Sequence, residues 1–238
     1  MTKLFLKYFL FGFMLMSLSD AYNQTNNIYI NFQANFYKKN LEKDVVYFIN
    51  NNDSLKITQL KFYISNINLK RKSANVYTEK NSYHLVDVFE KKTTSIILQS
   101  KNKIEFDEIE FSLGIDSLTN SKGVQNKDLD PLKGMYWAWH SGYINLKLEG
   151  KSNLCATRNN MFQFHLGGFL NNFYNMQILS LKTKPTKNIL INVELNNFFS
   201  GVDLKNMNHI MTPSTDAVEL SKEATKMFFI PNYKSLQN

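Results

Sequence analysis

Residues 134 to 150 read GMYWAWHSGYINLKLEG. They place Tyr136, Trp137, Trp139 and His140 within five positions of a chain that has two tryptophans and four histidines. Imidazole, thiolate and thioether are the donors that copper and zinc prefer. The supply is His84, His140, His165, His209, Cys155, Met207 and Met211. No two histidines stand at i, i+2 or i, i+4, so any soft-metal site has to be assembled by the fold from separated segments.

Each of these residues also has a plainer reading. His165 in FQFHLG sits among apolar neighbours and can be a satisfied core or edge histidine. His84 in SYHLVD points opposite to Tyr83 and Leu85 on a strand, toward solvent. Met207 and Met211 suit core filling. Trp137 and Trp139 share one face of an extended segment, with Ala138 and His140 on the other. Two tryptophans on one strand face are most simply core. Cys155 is alone, so no internal disulfide forms. It reads as a small buried residue, with a soft metal ligand or an intermolecular thiol as the alternatives.

A hard cation would need oxygen donors. Asp116, Asn120, Asp128 and Asp130 lie in one polar, Gly- and Pro-containing stretch, residues 116–134, that has no period and reads as a long loop. Their spacing does not fit an EF-hand, so calcium is weighed against ordinary turn chemistry, which accounts for these residues as well. The signatures of common enzymes are absent: there is no G-x-S-x-G elbow, phosphate-binding glycine loop, H-E-x-x-H or C-x-x-C.

The elements that would position these residues are mostly strands. IYINFQANF (28–36) alternates apolar and polar residues, the period of a half-buried strand. Strand patterns recur at 44–50, 54–72, 75–78, 82–89, 94–99, 103–116, 142–150, 160–168, 175–182 and 187–199. The 54–72 segment is long enough for two strands or one bent strand. The period then changes. Asp203 is a plausible N-cap for a short helix with Leu204, Met207 and Met211 on one face and His209 on the polar side. Thr212 before Pro213 reads as a second N-cap, opening an amphipathic helix through Ala217, Leu220, Ala224 and Met227 or Phe228. The pattern predicts one mainly-β domain over residues 22–238, an antiparallel two-sheet sandwich with a short helical C-terminal segment.

At 238 residues and 43% hydrophobic, the chain is long enough to bury a sizeable core. Lys3, Lys7 and the apolar run Tyr8 to Leu18, followed by Ser19 and Ala21, read as a signal peptide over residues 1–21, leaving no membrane span after cleavage. Its removal takes the net charge from +8 to +7. The lysines are scattered, which gives a mild field and solubility and does not make a nucleic-acid surface.

Six blocks occur in order: LKFYISNINL (60–69), YHLVD (83–87), FSLGIDS (111–117), LDPLKGMYWAWHSGYINLKLEG (129–150), FQFHLGG (162–168) and NHIMTPSTDAVELSKEATKMFFI (208–230). Together they resemble the MbnP-like domain family of exported copper-binding proteins, related to MopE and CorA of methane oxidisers. The resemblance implies a β-rich periplasmic or secreted domain that takes up, stores or hands over copper and turns over no substrate. It implies copper held by histidine and by a kynurenine. The kynurenine is made from a tryptophan by a di-haem partner related to MauG and bacterial cytochrome c peroxidases. Carried onto this chain, the ligand candidates are His140 and His165, with His84 and His209 in matching blocks, and Trp139 or Trp137 as the modifiable indole. Participation of Met211 or Cys155 would favour Cu(I).

In the copper-binding relatives one residue separates the kynurenine from the first histidine. Here Trp139 adjoins His140 and Trp137 stands three before it, so which tryptophan is modified stays open. The alternative function is a non-metal binding or interaction module on the same fold. Geometry separates the two. Clustering of His140 and His165 with His84 or His209 near a tryptophan favours copper. Dispersed histidines and fully enclosed tryptophans favour the module.

Overall fold

The structure, a computed structural model, describes residues 25–49, 52–139 and 142–231. The expected signal segment and His140 lie outside the described residues. Two sheets face each other. The first is built on β1 (Ile28–Phe36), whose Ile28, Ile30 and Phe32 point inward while Tyr29 and Gln33 are exposed. Both the short β2 (Lys39–Asn40) and β7 (Ser95–Leu98) pair antiparallel with β1. On its other side β13 (Asn188–Glu194) pairs parallel with it and carries β15 (Phe228–Phe229).

The second sheet is organised by β4 (Ser54–Arg71), one continuous strand bent where the register slips between Ser65 and Asn68. Asn66 at the slip has a φ of 51°, a left-handed conformation that asparagine tolerates. Along one edge of β4 run β3 (Val46–Phe48), β6 (Tyr83–Asp87) and β5 (Ala74–Thr78). Along the other run β8 (Glu108–Leu113) and, at a different height, β10 (Gly142–Ser152). The two-residue β9 (Tyr136–Trp137) joins the start of β10. Beyond β10 lie β11 (Met161–Gly167) and the parallel edge strand β14 (His209–Ile210), while β12 (Gln177–Lys182) extends β8. The mainly-β sandwich expectation holds, and most pairings are antiparallel. The β1–β13 and β11–β14 pairs are parallel.

The main core lies between the sheets. Phe32 of the first meets Phe62 and Phe111 of the second edge-on, with ring centroids 5.6 and 6.3 Å apart. Phe228 closes on Phe62 at 5.2 Å. The C-terminal helix Thr215–Thr225 buries Ala217, Leu220 and Ala224 against this core. Its N-cap is Ser214, whose hydroxyl accepts from the Ala217 amide, two residues after the expected Thr212. Among the described residues no helix is long and apolar enough to cross a membrane.

Three local expectations are corrected. The 187–199 strand stops at Glu194, and Leu195–Phe199 turns into a short helix. The 116–134 loop holds the short helix Ser117–Ser121 and two single 3-10 turns. No helix forms after Asp203. Asp203 instead accepts from the Lys205 amide and the Asn206 side chain, and Asn208 donates to the Leu204 and Lys205 carbonyls. Short Asp and Asn side chains offer the backbone these local alternatives to a helix. Residues 209–210 then gain strand pairing with β11.

Candidate metal edge beside the buried tryptophan

The outer face of the second sheet is covered by the 116–137 segment, which makes a second, smaller core from Tyr63, Leu85, Ile115, Leu129, Met135, Trp137, Tyr143 and Ile144. Tyr143 stacks edge-on with Tyr136 and Tyr63, at 5.0 and 5.9 Å. Its hydroxyl donates to the Leu129 carbonyl, and that of Tyr63 to the Asp128 carbonyl. Burial pushes both phenols above their ordinary range. The two tryptophans part company here. Trp137 is 3% exposed, and Trp139, beyond the end of β9, is 62% exposed. Their rings still touch, 6.0 Å apart and tilted by 49°. The shared strand face expected of them is lost because β9 ends at Trp137.

The Trp137 indole packs so closely on β11 that only glycine fits beneath it. A Cβ on Gly167 would come within 2.9 Å of the indole Cη2 and Cζ3 and 2.6 Å of the Tyr143 carbonyl oxygen. Gly167 and His165 are two residues apart on one strand, so they face the same side. Phe162, Phe164 and Leu166 point to the main core, which leaves His165 on the outer face with Trp137.

Met211 comes to the same place. Gln163 pairs with His209 and Phe164 with Ile210, and further on a Cβ at Gly168 would lie 3.2 Å from Pro213 Cβ. The 209–213 segment therefore runs alongside 163–168, and continuing the same register one step beyond β14 would set Met211 opposite His165. Ile210 packs on the main core as its partner Phe164 does, consistent with Met211 facing outward. His209 is exposed on the same edge, two register positions before Met211. His165, Met211, His209 and Trp137, drawn from three segments, are thus brought together.

His84 is not. It lies on β6, three strand spacings from β11 and so on the order of 14 Å away. Its Nε2 sits 2.9 Å from Glu79 Oε2. Cys155 is 1% exposed in the main core, where desolvation raises its thiol pKa. The four oxygen-bearing residues considered for calcium are each engaged with the chain. Asp116 caps the Ser117–Ser121 helix and accepts from Thr119 N and Tyr83 OH. Asn120 bridges Ile115 and Tyr143, Asp128 takes Leu85 N and Lys133, and Asp130 takes Leu132 N. Among the described residues no group of three or more His, Cys, Asp or Glu is placed to hold a metal. What this edge gathers is the buried imidazole of His165, the exposed imidazole of His209, the thioether of Met211 and an aromatic wall.

Two residues that sequence reasoning passed over complete the edge. Glu149 Oε1 lies 2.6 Å from His165 Nε2, and Lys147 Nζ lies 3.6 Å from the same oxygen and 3.3 Å from the Gly134 carbonyl. The hydrogen bond from His165 holds the Glu149 carboxyl below its ordinary range against the opposing effect of burial. The i, i+2 spacing within NLKLEG and FQFHLG tells which residues share a face within each strand. It does not tell that these two strands pair.

The family model described as MbnP matches residues 25–212. The chain belongs to the MbnP family. A solved structure, MbnP from Methylosinus trichosporium, resembles it with a TM-score of 0.58 at 13% identity, over 82% of this chain and 87% of that one. At that identity the likeness is one of fold. No curated protein matches the chain. The MbnP match takes in Trp137, Trp139, His165, His209 and Met211 and stops short of the Thr215–Thr225 helix.

Proposed function

We propose that this protein is an exported copper carrier that binds the ion and hands it on without turning over a substrate. Copper is the cargo. His165 and Met211 supply the imidazole and thioether, and the sequence adds His140 three residues after Trp137. His209 stands at the rim. An imidazole with a thioether favours Cu(I). The observation that supports this reading is the convergence of His165, Met211 and Trp137, from separate segments, on one face. Family membership supports it independently.

Trp137 shares the face of His165, and Trp139 is the tryptophan that an oxidising partner reaches from solvent. Oxidation of either by dioxygen or peroxide on such a partner would cleave the indole C2–C3 bond to N-formylkynurenine. Hydrolysis would then release C2 as formate. The result replaces an indole, a poor ligand, by an aromatic amine and a carbonyl. A di-haem peroxidase-like enzyme is the partner we assign to that step, with Trp137 as the indole closer to the metal.

The test is peptide mass and metal content of the mature protein from its native host, followed by Cu(I) titration of wild type, H165A and M211A. We expect about one copper per chain, lost in H165A and weakened in M211A, and a peptide carrying one extra oxygen and one carbon fewer at Trp137. Copper binding that survives H165A would overturn the site. An unmodified peptide would remove the kynurenine and leave the copper.

A second reading has its own observation. An apolar cleft of about 240 Å³ is walled by Trp137, Phe169, Leu170, Phe173 and Pro213. It suits a small apolar ligand on a non-metal binding module. Absence of copper after both Cu(I) and Cu(II) are offered would select it.

A further inference from the structure

We infer that Glu149 is a positioning residue for His165, holding the proton on Nε2 so that Nδ1 is the ring nitrogen presented to a metal. The metal half of this statement rests on the copper reading above. The tautomer stands on geometry alone.

A carboxylate is an acceptor only, so in the 2.6 Å contact between His165 Nε2 and Glu149 Oε1 the imidazole nitrogen is the donor. The side chains of His165 and Glu149 are 7% and 19% exposed. Water therefore competes weakly, and a charge-assisted bond gains strength. A neutral ring that donates from Nε2 keeps one in-plane lone pair, on Nδ1. The hydrogen bond from this ring among the described residues is the one from Nε2 to Glu149.

Glu149 also has a cationic partner on its own strand. It sits where the pairing of β10 with β4 slips between Glu149 and Gly150. The backbone there is closely packed, since a Cβ on Gly150 would come within 2.2 Å of the Lys56 carbonyl oxygen. Lys147, on the same face of β10, bridges from Glu149 Oε1 to the carbonyl of Gly134. Gly134 turns the chain, with a φ of 74°, three residues before Trp137. A connected path of carbonyl, ammonium, carboxylate and imidazole thus ties the loop that carries Trp137 to the orientation of the His165 ring. A carboxylate behind a ligating histidine fixes the ring and raises its basicity.

The first measurement uses the metal-free mature protein labelled with ¹⁵N at histidine. A long-range proton–nitrogen correlation, assigned by the signal lost in H165A, should show the neutral form of His165 carrying its proton on Nε2. A neutral form with the proton on Nδ1 would overturn the inference. The second is Cu(I) affinity by competition with a chromophoric chelator. E149A should bind about 10- to 100-fold more weakly. E149Q should recover part of the loss, because its amide oxygen still accepts from Nε2. Wild-type uptake with unchanged affinity in E149A overturns the positioning role and leaves the copper reading intact. A wild type with the expected tautomer that takes no copper overturns the presentation of Nδ1 to a metal together with the copper reading. Should E149A fail to fold, the tautomer measurement on wild type and the E149Q affinity decide the matter.

Discussion

Single side chains on the outer face of the second sheet carry most of the chemistry. Glu149 shows how one contact becomes a pH dependence. Its carboxyl is held below the reference value of 4.5, first by the hydrogen bond from His165. A depressed carboxylate contributes stability above its unfolded-state pKa and loses that contribution as pH falls through the folded value. The stability gap between wild type and E149Q should therefore be widest near neutrality and narrow below pH 4.5, read as urea midpoints across that range. An unchanged gap down to pH 3 would mean the bond adds little to stability. The same scale explains Trp139. In protein made without the modifying enzyme, its exposed ring should be oxidised or quenched first by soluble reagents, while emission from Trp137 persists until unfolding. The two tryptophans stood out in the sequence, whereas Glu149 did not. The depth of each tryptophan was not legible, because a two-residue strand that stops at Trp137 leaves no period to read.

At the scale of elements, close approaches decide what can be changed. Gly167 lets β11 slide beneath the indole of Trp137, and alanine there has no room. We expect G167A to shift Trp137 fluorescence to longer wavelength and to destabilise by roughly 1–3 kcal/mol, the range for overpacking. Gly114 combines a φ of 121° with the side chain of Asn145 at 2.5 Å. G114A should cost at least as much, measured by denaturant unfolding. The cap of the C-terminal helix is a milder case. S214A removes the bond to the Ala217 amide and should cost about 1 kcal/mol. Strand alternation made β1, β10 and β11 legible to within a residue or two. The expected helix after Asp203 failed because its Asp and Asn side chains satisfy the backbone locally, and because the edge of β11 offers 209–210 a better partner.

Across the whole molecule, one core between two sheets supports an edge whose residues come from distant parts of the chain. F62A should cost about 3–5 kcal/mol in unfolding free energy, since Phe62 is fully buried against Phe32 and Phe228. Where the variant remains folded, copper stoichiometry should be unchanged, because Phe62 faces away from the outer surface. A loss of copper from folded F62A would show that the two faces are coupled. The sequence by itself determined the class of the fold, most strand positions, the C-terminal helix and the list of possible donors. Those follow from local period, capping and residue chemistry. Only the tertiary structure decided that His165 meets Glu149 across β10 and β11, that Met211 runs beside it on a parallel edge, that Trp137 lies over Gly167, and that His84 stays three strands away. Strand pairing and register are set by contacts between segments far apart in sequence, and no local pattern encodes which strand lies next to which.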